Sequence, residues 1–182
     1  EHIGEQPLAA TNIIRNKSSF TFLAVVALAS TASTLVSNLM GQGEPQSVRP
    51  MLRRTIIMAY GILTPILLLI AIFPTEVMRI FTTDAPLMEA ARVALYVQLC
   101  SYFFSIPAQI LFHAVSGTGN TRIAFVIEIG TLIVYTCYVA IAIFHLRLSL
   151  PWCWASEIVY SSIILVLCYL YMRSGKWQSK QI

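Results

Sequence analysis

Residues 93–121 read VALYVQLCSYFFSIPAQILFHAVSGTGNT, a run with no charged side chain between Arg92 and Arg122. A helix rises 1.5 Å per residue, so about 20 apolar residues cross the roughly 30 Å of bilayer hydrocarbon. This run is long enough to span and too apolar to live in water. It is not uniform, however. Gln98, Ser101, Ser105, Gln109, His113 and Ser116 recur at steps of three or four, which aligns them on one stripe of a helix. Pro107 has no N–H to donate and predicts a kink. Ser116-Gly117-Thr118-Gly119-Asn120-Thr121 predicts the turn that ends the helix. The stretch predicts a membrane-spanning helix with a polar face.

The same reading extends outward in both directions. Spans are predicted at about 8–40, 52–73, 87–116, 123–145 and 151–172. The first has no charge between Ser18 and Gly43, and at roughly 50 Å its Arg15/Lys17 end projects toward one interface. The second contains Pro65, the fourth carries Glu128, and the fifth carries Glu157. Gly41-Gln42-Gly43-Glu44-Pro45 ends the first span. Pro74 to Thr83 predicts a short interfacial helix with Val77, Ile80 and Phe81 on one side, and the polar tail 173–182 is expected to fray. The fold class is all-α: a polytopic membrane helix bundle of five transmembrane helices.

Composition closes off the alternatives. Of 182 residues, 57% are hydrophobic and 11% charged, against roughly 25% charged in soluble domains. Mean hydropathy is +0.74. Neither a soluble domain nor a disordered chain fits. The net charge of +4 comes from basic residues set beside apolar runs, which gives no nucleic-acid footprint. Cys100, Cys137, Cys153 and Cys168 lie in apolar runs at wide spacings, with no zinc-ligand or disulfide pattern. No metal or other cofactor is expected.

Basic residues set the expected orientation. Arg49, Arg53, Arg54, Arg122, Arg173, Lys176 and Lys180 fall on one side, while Arg79, Arg92 and Arg147 face the other beside Glu76, Asp84 and Glu89. The richer side is expected to be cytoplasmic, with the C-terminus inside and the N-terminus outside. The chain begins at Glu1 with no signal-peptide design, so it reads as a piece of a longer polypeptide with a preceding span.

An anchoring helix needs no polar face, so the stripes are informative. The first span has Ser30, Ser33, Thr34, Ser37 and Asn38 on one face, with Thr11, Asn12, Arg15 and Ser18 nearer its start. The fourth has Glu128, Thr131, Tyr135 and Tyr138, and the fifth has Glu157, Tyr160 and Ser161. Small polar residues can simply pack helix against helix. Gln98, Gln109 and Asn38 are less easily explained that way, because an unpaired amide in hydrocarbon costs several kcal/mol. The stripes suggest helices around a water-accessible cavity. Glu157 and Arg15 lie at similar depths from the outer side, so Glu157 can pair with Arg15 or Lys17. Glu128 falls in the inner half, too far for a direct carboxylate dyad with Glu157.

Two stretches then carry a family resemblance. Ala9-Ala10-Thr11-Asn12-Ile13-Ile14-Arg15 and Ser33-Thr34-Leu35-Val36-Ser37-Asn38-Leu39-Met40-Gly41-Gln42-Gly43 resemble the multidrug and toxic compound extrusion (MATE) transporters. Ser116-Gly117-Thr118-Gly119-Asn120-Thr121-Arg122 looks like that family's Gly-x-Gly-Asp-Thr-basic turn, with Asn120 where Asp is usual, and Gly175-Lys176-Trp177 resembles its C-terminal ending. The order and spacing of these motifs cover nearly the whole chain. The resemblance implies two six-helix lobes working by alternating access with Na⁺ or H⁺ as coupling ion. This chain would supply helices eight to twelve, five of the six helices of the C-terminal lobe, and its partners would be the missing seventh helix and the N-terminal lobe. Sodium-coupled members are expected to carry acids on the seventh helix and midway along the tenth. The tenth corresponds here to the third span, which has no acid from Val93 to Thr121.

The leading reading is therefore a multi-pass antiporter of the bacterial plasma membrane that exports amphiphilic or cationic drugs. Its candidate substrate and ion-pathway residues are Asn12, Arg15, Asn38, Gln109, Glu128, Tyr135 and Glu157, with Phe22, Phe104 and Tyr138 as further wall. A lipid-linked oligosaccharide flippase of the same superfamily is the alternative, although such a cavity needs basic residues and offers here only Arg15 and Lys17. An intramembrane serine protease built from Ser116 with His113 or His145 is the remote one, lacking an orienting third group. An enzyme is not expected.

Overall fold

A computed structural model of the chain describes residues 5–79, 85–141 and 155–178, with 5–20, 85–87 and 89–91 described by helical backbone alone. The described residues form α1 (Glu5–Gly41), α2 (Val48–Ile72), α3 (Pro74–Arg79), α4 (Ala85–Gly117), α5 (Thr121–Ala140) and α6 (Ser156–Ser174), with a 3₁₀ turn at Pro45–Ser47. All but α3 are long and apolar enough to cross a membrane. α2 starts ahead of its predicted limit because Pro50 sits in its first turn, where a missing N–H costs nothing. The predicted ends at His145 and Pro151 lie outside the described residues. The short helix expected after Pro74 is present as α3, closed by an Arg79–Glu76 ion pair at 3.0 Å. Its buried residues are Pro74 and Met78, so Met78 rather than Val77 carries the inward face. Ile80 and Phe81 lie outside the described residues.

The exterior is apolar. Ile57, Met58, Ile62 and Leu69 on α2, and Phe125, Val126 and Ile133 on α5, are all exposed. Such a surface has no place in water and suits a lipid solvent, where helices satisfy their backbone internally. α4 is the central helix: 44% of its most apolar stretch is buried, against 17% in α2 and α5. It contacts α1, α2, α5 and α6, most extensively α1 and α6.

The α1–α4 contact is made by small residues. Val25, Ala29, Ala32, Val36 and Met40 form the buried face of α1, and Gly117 of α4 meets it. A Cβ built on Gly117 would sit 2.6 Å from the Ser33 carbonyl oxygen and 3.1 Å from Val36 Cβ. Ser37 Oγ donates to the Gly117 carbonyl at 3.0 Å. Without a hydrophobic drive between helices in lipid, this close approach is how they adhere. Ser33, half-buried, and Ser37, at the exposed edge but bonded to Gly117 O, therefore belong to a packing seam, while Ser30, Thr34 and Asn38 face outward.

α1 stops at a left-handed Gly43 (φ 73). There the Glu44 N–H bonds Leu39 O at 2.9 Å and the Gly43 N–H bonds Met40 O at 3.1 Å, a Schellman closure that satisfies orphan carbonyls.

Proline leaves a carbonyl to be satisfied elsewhere, and the bundle does so. Pro107 cannot donate to Phe103 O, one helical turn earlier. Tyr60 on α2 donates its hydroxyl to that oxygen at 2.5 Å, and its ring meets Phe103 with centroids 5.8 Å apart. Tyr96 on α4 reciprocates, donating to Ala71 O near the end of α2 at 3.4 Å. These pairs fix α2 and α4 as antiparallel neighbours. Tyr60→Phe is expected to lower stability by about 1–2 kcal/mol by leaving Phe103 O without a donor. An unchanged unfolding midpoint in detergent would refute that role.

The end carrying Arg49 and Arg173 closes on α6. Arg49 Nη2 donates to Met172 O and Arg173 O, each at 3.0 Å, and Trp177 Nε1 donates to Met172 O at 2.9 Å. A cation and an indole thus serve the last carbonyls of a helix, where the macrodipole is negative. Trp177 is fully buried. The expectation of a fraying tail fails here: after Gly175 turns the chain, Trp177 docks into the bundle. The residues beyond Gln178 lie outside the described residues.

Candidate functional site

The polar cluster inside the apolar bundle lies between α5 and α6. Tyr160 donates its hydroxyl to Glu128 Oε1 at 2.7 Å. The ring of Tyr135 meets that of Tyr160 edge-on, with centroids 5.8 Å apart. Glu128 and Tyr135 are two turns apart on α5, and Glu157 is one turn before Tyr160 on α6, so helical spacing directs each pair to a common face. At the basic end the same two helices are joined by Asn120 Nδ2, which donates to Tyr171 OH. Glu128 stands about 12 Å along α5 from that junction, well inside the hydrocarbon thickness. Thr131, one turn further, is fully buried and returns its hydroxyl to Ile127 O at 2.8 Å.

Among the described residues Glu128 has no Lys or Arg within ion-pair distance. Its partner is a neutral phenol. Glu157 is half-buried in the first turn of α6, where the helix N-terminus favours negative charge. A membrane-embedded carboxylate held by a neutral donor is suited to taking up a proton or a small cation, because either removes a costly charge.

Of the sequence candidates, Glu128 and Tyr135 thus come together through Tyr160, with Glu157 alongside. Tyr160 appears in the predicted stripe of the fifth span but not among the candidate site residues. Its signal was the helical step from Glu157; what no local pattern supplied was the α5–α6 register. The others lie elsewhere. Asn38 is exposed near the end of α1, its carbonyl accepting the Gln42 N–H at 2.9 Å. Gln109 is half-buried on α4, its carbonyl 3.0 Å from His113 Nδ1. Asn12 and Arg15 lie on the helical backbone of α1, and their side chains, with any Arg15 or Lys17 pairing to Glu157, are outside the described residues. Phe22 and Phe104 are exposed on the bundle surface, and Tyr135 and Tyr138 are half-buried.

The polar stripe of α4 turns inward. Gln98, Ser101 and Ser105 are buried, Ser101 Oγ donates to Gln98 O at 2.7 Å, and Gln98 Oε1 has no partner among the described residues. The triad geometry that a protease needs is not assembled among the described residues: His113 faces the Gln109 carbonyl rather than Ser116. His145 lies outside them.

Comparison with known proteins follows the same lines. Residues 1–141 match the model of the MatE family. The chain is 26% identical over 183 residues to a protein of Thermotoga maritima described as probable multidrug resistance protein NorM, covering 98% of the chain and 39% of that protein. It is 24% identical over 182 residues to one of Bacillus subtilis described as probable multidrug resistance protein YoeA, covering 100% of the chain and 39% of that protein. The chain therefore spans about two fifths of the length of these curated relatives, at 39% of each. No solved structure gives a significant match.

Proposed function

The chain belongs to the MatE family, and on that premise we propose that it forms most of one lobe of a secondary antiporter. The transporter exports amphiphilic or cationic compounds in exchange for Na⁺ or H⁺. The observation that carries this reading is the Glu128–Tyr160 pair at 2.7 Å inside the membrane-spanning bundle. A carboxylate there costs on the order of 3 kcal/mol on insertion scales, and a phenol neutralises none of its charge. Na⁺ or H⁺ does. If the neutralised form favours one facing state of the transporter and bound drug favours the other, a cation gradient drives export.

Glu128 and Glu157 are the candidate cation groups, with Tyr160 holding Glu128 in place. Tyr135, Tyr138, Phe22 and Phe104 supply aromatic wall suited to amphiphilic cations, and Asn12, Arg15, Asn38 and Gln109 are candidates for the polar part of the pathway. The remaining partners are the bilayer, a second lobe and one further helix of this lobe. The basic end, with Arg49, Arg53, Arg122 and Arg173, would face the cytoplasm of a bacterium.

The test is exclusion of a fluorescent cationic dye by cells expressing the protein that carries this chain, with the Na⁺ and H⁺ gradients collapsed separately. Loss of exclusion with one gradient establishes antiport and names the ion. Exclusion that survives both, or never occurs, refutes drug antiport and favours a lipid-linked substrate.

A further inference from the structure

At the basic end, α2, α4 and α6 leave a cleft of about 690 Å³ lined by Arg49, Arg53 and Arg173 with Leu52, Ile56, Leu111, Tyr169 and Met172. Its two halves differ in chemistry. The arginines stand at the mouth, at the start of α2 and the end of α6. Leu52 and Met172 lie level with the arginines, while Ile56 is about 12 Å along α2 from Val48 and Leu111 about 9 Å along α4 from Gly117. Arg49 is held in place by the Met172 and Arg173 carbonyls. Arg53 and Arg173 are exposed and make no ion pair among the described residues.

We propose that this cleft binds one acidic phospholipid from the leaflet at the basic end, its phosphate on Arg53 and Arg173 and the upper part of an acyl chain against Leu52, Ile56 and Leu111. Charge complementarity argues for the acid: the arginines attract a phosphodiester and repel the ammonium of a zwitterionic headgroup. The exposed Tyr169 in the wall and the half-buried Ile56 beside it argue for a lipid rather than a free phosphate, since an inorganic anion would engage the arginines and leave this apolar wall uncovered. The way in is lateral. Ile57, Met58, Tyr169 and Leu170 beside the cleft are exposed, so an acyl chain reaches it from the bilayer without crossing water. Basic pockets between membrane helices are a recognised setting for acidic headgroups. This site is separate from the Glu128–Tyr160 cluster and stands whatever the protein transports.

The experiment is native mass spectrometry of the purified, detergent-solubilised protein carrying this chain, offered phosphatidylglycerol and phosphatidylcholine of matched acyl chains in equal amounts. The wild type is expected to retain phosphatidylglycerol in preference. Arg53→Gln with Arg173→Gln is expected to reduce that retention by about thirtyfold, given the attraction that each basic side chain offers an acidic membrane surface. Arg49 is left intact because it holds the end of α6. Arg122→Gln, a basic residue on the same end but outside the cleft, is expected to keep the preference. Equal retention of the two lipids by the wild type overturns the proposal, as does an equal loss in Arg122→Gln, which would make the effect one of bulk charge. Displacement of the lipid by millimolar inorganic phosphate overturns it in favour of a free anion. An unchanged unfolding midpoint of the double variant in phosphatidylcholine micelles separates lost binding from lost folding. If that midpoint falls, Arg53→Lys with Arg173→Lys, keeping both charges, must retain phosphatidylglycerol, or the proposal fails.

Discussion

Gly117→Val is expected to lower the stability of the bundle by more than about 3 kcal/mol, the upper range for overpacking a core, and Gly117→Ala by about 1–3 kcal/mol. The sign is not obvious from the residue alone. Alanine is the better helix former by about 1 kcal/mol, so an exposed helical glycine replaced by alanine gains stability. Here the new Cβ would lie 2.6 Å from the Ser33 carbonyl oxygen. That obstacle is backbone, which no rotamer relieves, so α1 and α4 must separate and break the Ser37–Gly117 hydrogen bond. For the same reason Ser33→Ala is not expected to rescue Gly117→Ala. Unfolding midpoints of the purified protein in detergent decide the matter: a Gly117→Ala variant as stable as the wild type would mean the two helices do not approach this closely.

If the proposed antiport is right, Glu128→Gln is expected to abolish dye exclusion, reducing it to the level of cells without the protein, while leaving expression and stability unchanged. The isosteric amide oxygen still accepts from Tyr160, so the α5–α6 contact survives and only the charge goes. Glu128→Ala removes both, leaves the Tyr160 hydroxyl without its acceptor, and is expected to cost about 1–3 kcal/mol of stability as well. The pair of variants separates the two roles of the residue. Normal exclusion by Glu128→Gln would take the carboxylate out of the mechanism and leave a structural hydrogen bond. The corresponding substitution Glu157→Gln is expected to impair exclusion in the same direction.

The spans were legible because charged residues bound them: nothing charged interrupts residues 93–121, and the structure builds a continuous α4 through Pro107. The grouping of basic residues was legible too, for Arg49 reaches the Arg173 carbonyl and Arg122 follows the Asn120–Tyr171 junction. The stripes were harder to read. Ser33 and Ser37 proved to be packing residues, and Gln98, Ser101 and Ser105 turn into the bundle. Helical periodicity says which residues share a face, but not which helix that face meets. The Tyr160–Glu128 bond is of the same kind: both residues were visible, and their pairing depends on how two helices lie against each other. Trp177 was obscured by its polar neighbours Arg173, Ser174, Lys176 and Gln178. An apolar residue just after a left-handed glycine at a helix end is nevertheless the pattern of a docking contact.

The central proposal is that a cation gradient, acting through the family fold of which this chain is part, drives the movement of an amphiphilic cation. Reconstitution of the purified protein carrying this chain into vesicles, with a Na⁺ or H⁺ gradient as the sole energy source, tests it without interference from other cellular pumps. Uptake of a cationic dye driven by one of the two gradients, and lost in Glu128→Gln, is the predicted result. Dye movement indifferent to both gradients, or undiminished in Glu128→Gln, would contradict it.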